Sequence, residues 1–209
     1  AQGRGRVTVI VPDATRRASL PEVLPQVLQR LDRGGVSPSS IKVLVACGTH
    51  PPAGSKGLRH LLGPLPVGVR ALEHDSLDGN SLIQVGELRP GLPLRLHREA
   101  VNCDLLVSVG TVRHHYFAGF GGGPKMVFPG VGGHLEIQAN HSLVLRRTEG
   151  GWERHPKCEP GVLDGNPVAE EIARAVDSRL QSNPDADDLI ILGDLNADCE
   201  SFNENDTQH

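Results

Sequence analysis

The apolar positions of this chain alternate between two rhythms. Short β-branched or leucine-rich runs stand at Val7–Val11, Ile41–Ala46 and Leu105–Gly110, and each predicts a buried strand. Between the first two, Leu20, Val23, Leu24, Val27, Leu28 and Leu31 recur at i, i+3, i+4, i+7, i+8 and i+11, the spacing of one helix face. Ser19 and Glu22 fit a capping box at its start, and Gly34-Gly35 supply a stop. A strand–helix–strand unit of this kind predicts a right-handed crossover and parallel pairing. The expected fold class is therefore α/β, a Rossmann-like, mainly parallel sheet flanked by helices. In such sheets ligands bind beyond the carboxyl ends of the strands.

The rest of the chain is more broken. Residues 51–66 read as loop and short helix, with Lys56, Arg59 and His60 solvated. Val67–Leu72 and Ser81–Leu88 read as strands around the turn residues Asp75–Asn80. Arg95–Val101 reads as a weak helix carrying His97, and a short helix after Gly133 should carry Asn140 and His141. Residues 148–163 read as a loop holding the only tryptophan, Trp152. Asn166-Pro167 is a good N-cap and N1 pair for a helix running to about Leu180. A last strand is expected at Leu189–Leu192.

Composition narrows the classes of function. With 209 residues, 38% hydrophobic and 22% charged, the chain suits one soluble domain or slightly more. Only 3% of residues are aromatic and no basic stripe is present, so nucleic acid is not an expected partner. No apolar run reaches the roughly 18 residues of a membrane span, and the polar, basic start does not read as a signal peptide. Cys47, Cys103, Cys158 and Cys199 are scattered without a zinc or redox spacing, which suits reduced thiols in the cytoplasm. The net charge of −4 is uneven: residues 185–206 hold eight acids, leaving about +4 for the remainder, a body suited to anionic ligands. We divide the chain accordingly into a domain over 1–182 and an acidic segment over 183–209 of atypical or foreign character.

Chemistry concentrates in residues 114–141, HHYFAGFGGGPKMVFPGVGGHLEIQANH, which hold four of the ten histidines. The run Gly121-Gly122-Gly123-Pro124-Lys125 is unsuited to the interior of a helix or strand and suits a close backbone approach to a ligand. It is not a Walker A loop, because Pro124 precedes the lysine and Met126 follows it; nor is it a dinucleotide fingerprint, because Pro124 replaces the third glycine. His115 lies ten residues before Lys125, and His141 sixteen after it. Two further loops follow predicted strands: Asp13-Ala14-Thr15-Arg16, and Gly48-Thr49-His50-Pro51-Pro52. Both should open on the same sheet edge as His115.

The stretch His115 to Lys125, with Pro129-Gly130-Val131, Asn140-His141, the Gly-Thr-His and Asp-x-x-Arg loops and the Gly161–Pro167 entry, closely resembles the lactate racemase family. The resemblance covers roughly residues 7–175. It implies a nickel-pincer nucleotide cofactor tethered to Lys125 as a thioamide, with His141 as the protein ligand to nickel. It implies His50 and His115 as the two acid/base histidines, Arg16 at the substrate carboxylate, and Asp13 near the cofactor. Thr15 and the nest of Gly121, Gly122 and Gly123 are grouped with the cofactor contacts. The implied reaction is racemisation of a small 2-hydroxy acid by hydride transfer. Family members carry a second, C-terminal domain with a substrate-binding lysine, and no lysine follows Lys157 here. A second domain or a partner chain is thus expected to complete the site. Two other readings stand beside this one: a non-catalytic or truncated cofactor- or nickel-binding module, and a metal-dependent phosphodiesterase. The last rests on Gly193-Asp194-Leu195-Asn196, which resembles a strand end of the DNase I-like enzymes.

Overall fold

Parallel strands buried on both faces need continuous apolar runs, and the three strongest runs of the sequence form the middle of the sheet. The structure, a computed structural model, describes residues 5–16 and 18–183 together with the backbone of 188–194. Strands β1 (Val7–Pro12), β2 (Ile41–Ala46), β3 (Arg70–Glu73), β6 (Leu105–Thr111) and β11 (Asp188–Asp194) build one five-stranded sheet in the order β11-β6-β1-β2-β3. All four pairings are parallel, with Val9 opposite both Val43 and Val107. The α/β expectation therefore holds. Helix α1 (Leu20–Arg33) covers one face through Leu20, Leu24, Leu28 and Leu31, all buried. Helix α2 (Gly54–Leu62) follows β2. On the other face a second core gathers Ile10, Leu44 and Leu106 with Leu94, Leu96, Phe128, Ile137 and Val176.

That second core is built by elements the sequence described less well. A hairpin of β4 (Leu82–Arg89) and β5 (Leu92–His97) is followed by the single turn α3 (Arg98–Val101). The helix expected over Arg95–Val101 is thus half strand. Leu92, Leu94 and Leu96 alternate, and the last two are fully buried. The third strand begins at Arg70, three residues later than expected. Within 148–163, β9 (Leu145–Thr148) and β10 (Gly151–Arg154) form a hairpin that leaves Trp152 exposed. Ser19 makes no side-chain cap on α1; it sits in the left-handed region at φ 43°, whereas a capping side chain needs extended backbone. Asn166 does cap α6 (Pro167–Ser182), accepting from the Val168 and Ala169 amides. Beyond α6, β11 pairs with β6 along its length and brings Asp194 opposite Thr111 at the carboxyl edge; Asn196 lies outside the described residues.

Candidate active site

Three neighbouring parallel strands, β6, β1 and β2, end at one edge of the sheet, and their loops wall a cavity of about 130 Å³. The loop after β1 contributes Asp13 and Arg16, the loop after β2 contributes Gly48, Thr49 and His50, and β6 leads through Thr111 to Arg113 and His115. Gly121, Gly122, Lys125 and His141 complete the wall. Eight of the ten residues singled out from sequence line this one cavity. Thr15 stands behind it, donating its hydroxyl to Asp13 Oδ1 at 2.7 Å, and Gly123 is the buried N-cap of the next helix.

The spacing between His115 and Lys125 becomes a contact through a tight fold-back. Strand β7 (Arg113–His115) pairs antiparallel with β8 (Gly119–Gly121), placing His115 opposite Gly119. Gly119 has φ 76°, and a Cβ there would stand 2.5 Å from the Val162 carbonyl oxygen. Gly122 and Gly123, both at positive φ, then swing the chain into the one-turn helix α4 (Pro124–Val127). Pro124 occupies its first turn, where a missing N–H costs nothing. The glycine run therefore straddles two element ends. Lys125 Nζ arrives 2.9 Å from His115 Nε2.

The His115 ring is held from its other side. Its Nδ1 accepts from the Ala118 amide at 3.2 Å and from the Phe117 amide at 3.4 Å. The ring is buried between Tyr116 and Phe117. Burial, reinforced by the charges of Lys125 and Arg16, pushes its pKa down to about 3. Lys125 is pushed down to about 8 by burial, with Arg16 and Arg113 adding repulsion. Both groups are thus biased toward their neutral forms.

His50 stands in a different environment. It is exposed, and its Nδ1 lies 2.6 Å from Asp13 Oδ2. With both Asp13 oxygens engaged by His50 and Thr15, the carboxylate fixes the ring so that Nε2 is its basic nitrogen. Cys47, also in the wall, is no nucleophile at neutral pH: burial, then the Asp13 charge, pushes its thiol up to about 12.

His141 sits in the last turn of α5 (His134–Ser142), and that helix is pinned at both ends. Buried Glu136 takes a two-pronged bond from Arg95, with Nε at 2.5 Å from Oε1 and Nη2 at 3.2 Å from Oε2. Buried Asn140 donates to Glu171 Oε2 of α6 at 3.0 Å, and Glu171 is paired with Arg89. His141 itself packs edge-on to Phe117. Its Nε2 is buried with no hydrogen-bond partner among the described residues, and burial followed by the Lys125 charge pushes its pKa down to about 4. A neutral, orphaned imidazole nitrogen is the form that binds a transition metal. Among the described residues no group of three or more His, Cys, Asp and Glu could hold a metal ion. A metal on His141 would therefore take most of its ligands from a bound group.

Sequence reasoning missed Arg113 and the anchoring carboxylates Glu136 and Glu171. Arg113 had one available signal, its place two residues before His115 at a strand end. Neither carboxylate had one, since a buried acid looks like a surface acid until its arginine is located.

The profile of the lactate racemase N-terminal domain matches residues 1–152. A lactate racemase of Lactiplantibacillus plantarum is 32% identical over 176 residues, covering 84% of this chain and 40% of the relative. One of Thermoanaerobacterium thermosaccharolyticum is 30% identical over 176 residues, covering 84% and 39%. The lactate racemase apoprotein structure from the latter organism superposes with a TM-score of 0.74 at 28% identity, over 85% of this chain and 41% of that one. A Thermotoga maritima protein shares the fold, with a TM-score of 0.63 at 21% identity, over 85% and 44%. The chain spans about two-fifths of the length of the relatives it matches.

Proposed function

This chain belongs to the lactate racemase N-terminal domain family, and on that premise we propose that it is the cofactor-holding part of a nickel-pincer nucleotide-dependent racemase acting on a small 2-hydroxy acid. The observation that carries the reading is one cavity containing a lysine biased toward its free base, two histidines bound in unlike ways, and a buried imidazole nitrogen without a partner among the described residues. Those residues fit the group: Lys125 would tether it and His141 would ligate its nickel, while Gly121, Gly122, Gly123 and the Asp13-Thr15 pair lie beside them. When bound, the cofactor supplies a hydride acceptor, which spares a 2-hydroxy acid the dianion that proton removal from carbon would create.

The chain's own residues would handle the substrate and its proton. Arg16, exposed at the cavity rim, suits a two-pronged hold on the carboxylate. His50 would take the hydroxyl proton of one enantiomer on Nε2, with Asp13 stabilising the imidazolium through Nδ1. His115 would serve the other enantiomer in the same way with Nε2 bare, its ring hydrogen standing on Nδ1 in that state. The β1 strand lies between β2 and β6, and the segments that follow those two strands carry His50 and His115 into the same cavity as the Asp13–Arg16 loop. Substrate groups absent from these residues would come from a further domain or a partner chain, in keeping with the two-fifths of the relatives spanned here. We place the protein in the cytoplasm: the three described cysteines are free, and among the described residues no helix is long and apolar enough to cross a membrane. The same coverage supports a second reading, a module that holds the cofactor without turning over substrate on its own. We retain the division at 182, with 183–209 as an acidic segment whose strand β11 joins the sheet of the 1–182 domain.

The test is intact-protein mass after co-expression with the cofactor-making enzymes and nickel. The expected result is a covalent increment in the wild type that vanishes in Lys125→Ala. A folded wild-type protein with no increment would refute the reading. An increment without racemisation by the isolated chain would select the module.

A further inference from the structure

The hydrogen bond between His115 and Lys125 has a fixed polarity. Nδ1 of His115 accepts from the Ala118 and Phe117 amides, so it carries a lone pair and no hydrogen. A neutral imidazole with a bare Nδ1 has its hydrogen on Nε2. That hydrogen points at Lys125 Nζ, 2.9 Å away. An ammonium group has three donors and no acceptor, so it cannot accept that hydrogen. A free amine can. The other groups facing the lysine agree: Arg16 from the β1 loop and Arg113 from β7 are cationic. His141 lines the same cavity from α5, and Asp13, the one acid among the described residues of the wall, is occupied by His50 and Thr15.

We infer that His115 has a task before any turnover: it holds Lys125 as a free-base nucleophile, ready to accept an acyl or thioacyl group from a carboxyl-level donor. The inference rests on the reading of Lys125 as the attachment point and supplies how the attachment is primed. In the step, the Lys125 nitrogen forms a bond to the donor's carboxyl carbon, the bond to the leaving group breaks, and one amine proton departs with it. No oxidation or reduction is involved. His115 acts here as a positioning residue. An acylated nitrogen is no longer a useful acceptor, so completion of the step also removes the partner of the Nε2 hydrogen. Attachment would thereby remove the partner that holds the hydrogen on Nε2, and an unloaded protein would keep that ring engaged.

Two measurements on the full, unloaded chain test this. The first is competitive acetylation with N-acetoxysuccinimide across pH 7 to 10.5, reading Lys125 against exposed Lys56 by peptide mass. Lys125 should label with a midpoint near pH 8, well below the roughly 10.4 of a free lysine side chain. In His115→Ala, water replaces the ring and the Lys125 midpoint should rise by about one unit or more, with an unchanged far-ultraviolet circular dichroism spectrum as the control on folding. The second is ¹⁵N NMR of His115 at about pH 9, above the expected lysine midpoint, which should show a bare Nδ1 and a protonated Nε2. A Lys125 midpoint equal to that of Lys56, a midpoint unmoved in His115→Ala, or a proton on Nδ1 would each overturn the inference. None of these outcomes involves the cofactor. If Lys125 labels as expected yet never acquires the cofactor mass, the functional reading fails and the inference stands; cofactor attachment to a Lys125 with an ordinary midpoint gives the reverse.

Discussion

Replacing Gly122 with alanine should separate the geometry of the glycine run from its mere flexibility. Gly122 has φ 75°, a region in which an L side chain costs roughly 1–2 kcal/mol. The added Cβ would also stand 2.6 Å from the Thr111 carbonyl oxygen and 3.1 Å from its carbon, at the end of β6. Both are rigid backbone atoms, so the loop must move by several tenths of an ångström. We expect a total cost of about 3 kcal/mol, near the upper end of ordinary single substitutions. Gly121 next door is the control: its φ is unexceptional, and an added Cβ would meet only Arg113 atoms at 3.8 Å. Gly121→Ala should change stability by no more than about 0.5 kcal/mol. The assay is urea unfolding followed by far-ultraviolet circular dichroism, since Trp152 is exposed and a poor reporter. The Gly122 carbonyl also accepts from the Lys125 amide at 3.1 Å, so displacement should raise the lysine's labelling midpoint as well. Equal stability of the two variants would refute the claim that this turn is sterically built for the lysine.

Two further outcomes follow from the same site. Acid should destabilise the fold early. His74, His115 and His141 are held at about 4, 3 and 4, below the 6.5 of the unfolded chain. Between pH 6.5 and roughly 3 the unfolded state binds more protons, so stability must fall as pH falls through that window. At about 1.4 kcal/mol per unit, fully buried His74 alone contributes on the order of 3 kcal/mol. A urea midpoint that stays flat from pH 6.5 to 4.5 would contradict this. Under the proposed function, His141→Ala should lose nickel, measured as metal per chain, while retaining the covalent mass on Lys125. Nickel retained at the wild-type ratio would remove His141 from the ligand set.

The sheet and its ligand edge were legible because a buried parallel strand leaves little choice of residue: Val7–Val11, Ile41–Ala46 and Leu105–Gly110 are apolar nearly throughout. Asn166-Pro167 was legible because capping acts locally. Strand β5 was not, since the alternation of Leu92, Leu94 and Leu96 is short, interrupted by Pro93, and abuts a helix-forming Arg-Glu-Ala-Val. Ser19 misled because its motif records residue types and not backbone angles. At the site, the sequence carried the membership of the cavity but not its wiring. Ten residues of separation could not announce that His115 touches Lys125, nor that Asp13 pairs with His50.

The unlike bonding of the two histidines has a kinetic consequence. Enantiomers have equal free energy in water, so a racemase, whatever its site, must show the same kcat/KM for both at every pH. A carboxylate backs His50, whereas backbone amides and cations surround His115. Such a site need not stabilise its two bound enantiomers equally. If these rings are the pair of bases, the Haldane constraint forces any asymmetry into kcat and KM in equal proportion. One mirror image would bind tighter and turn over more slowly, by the same factor.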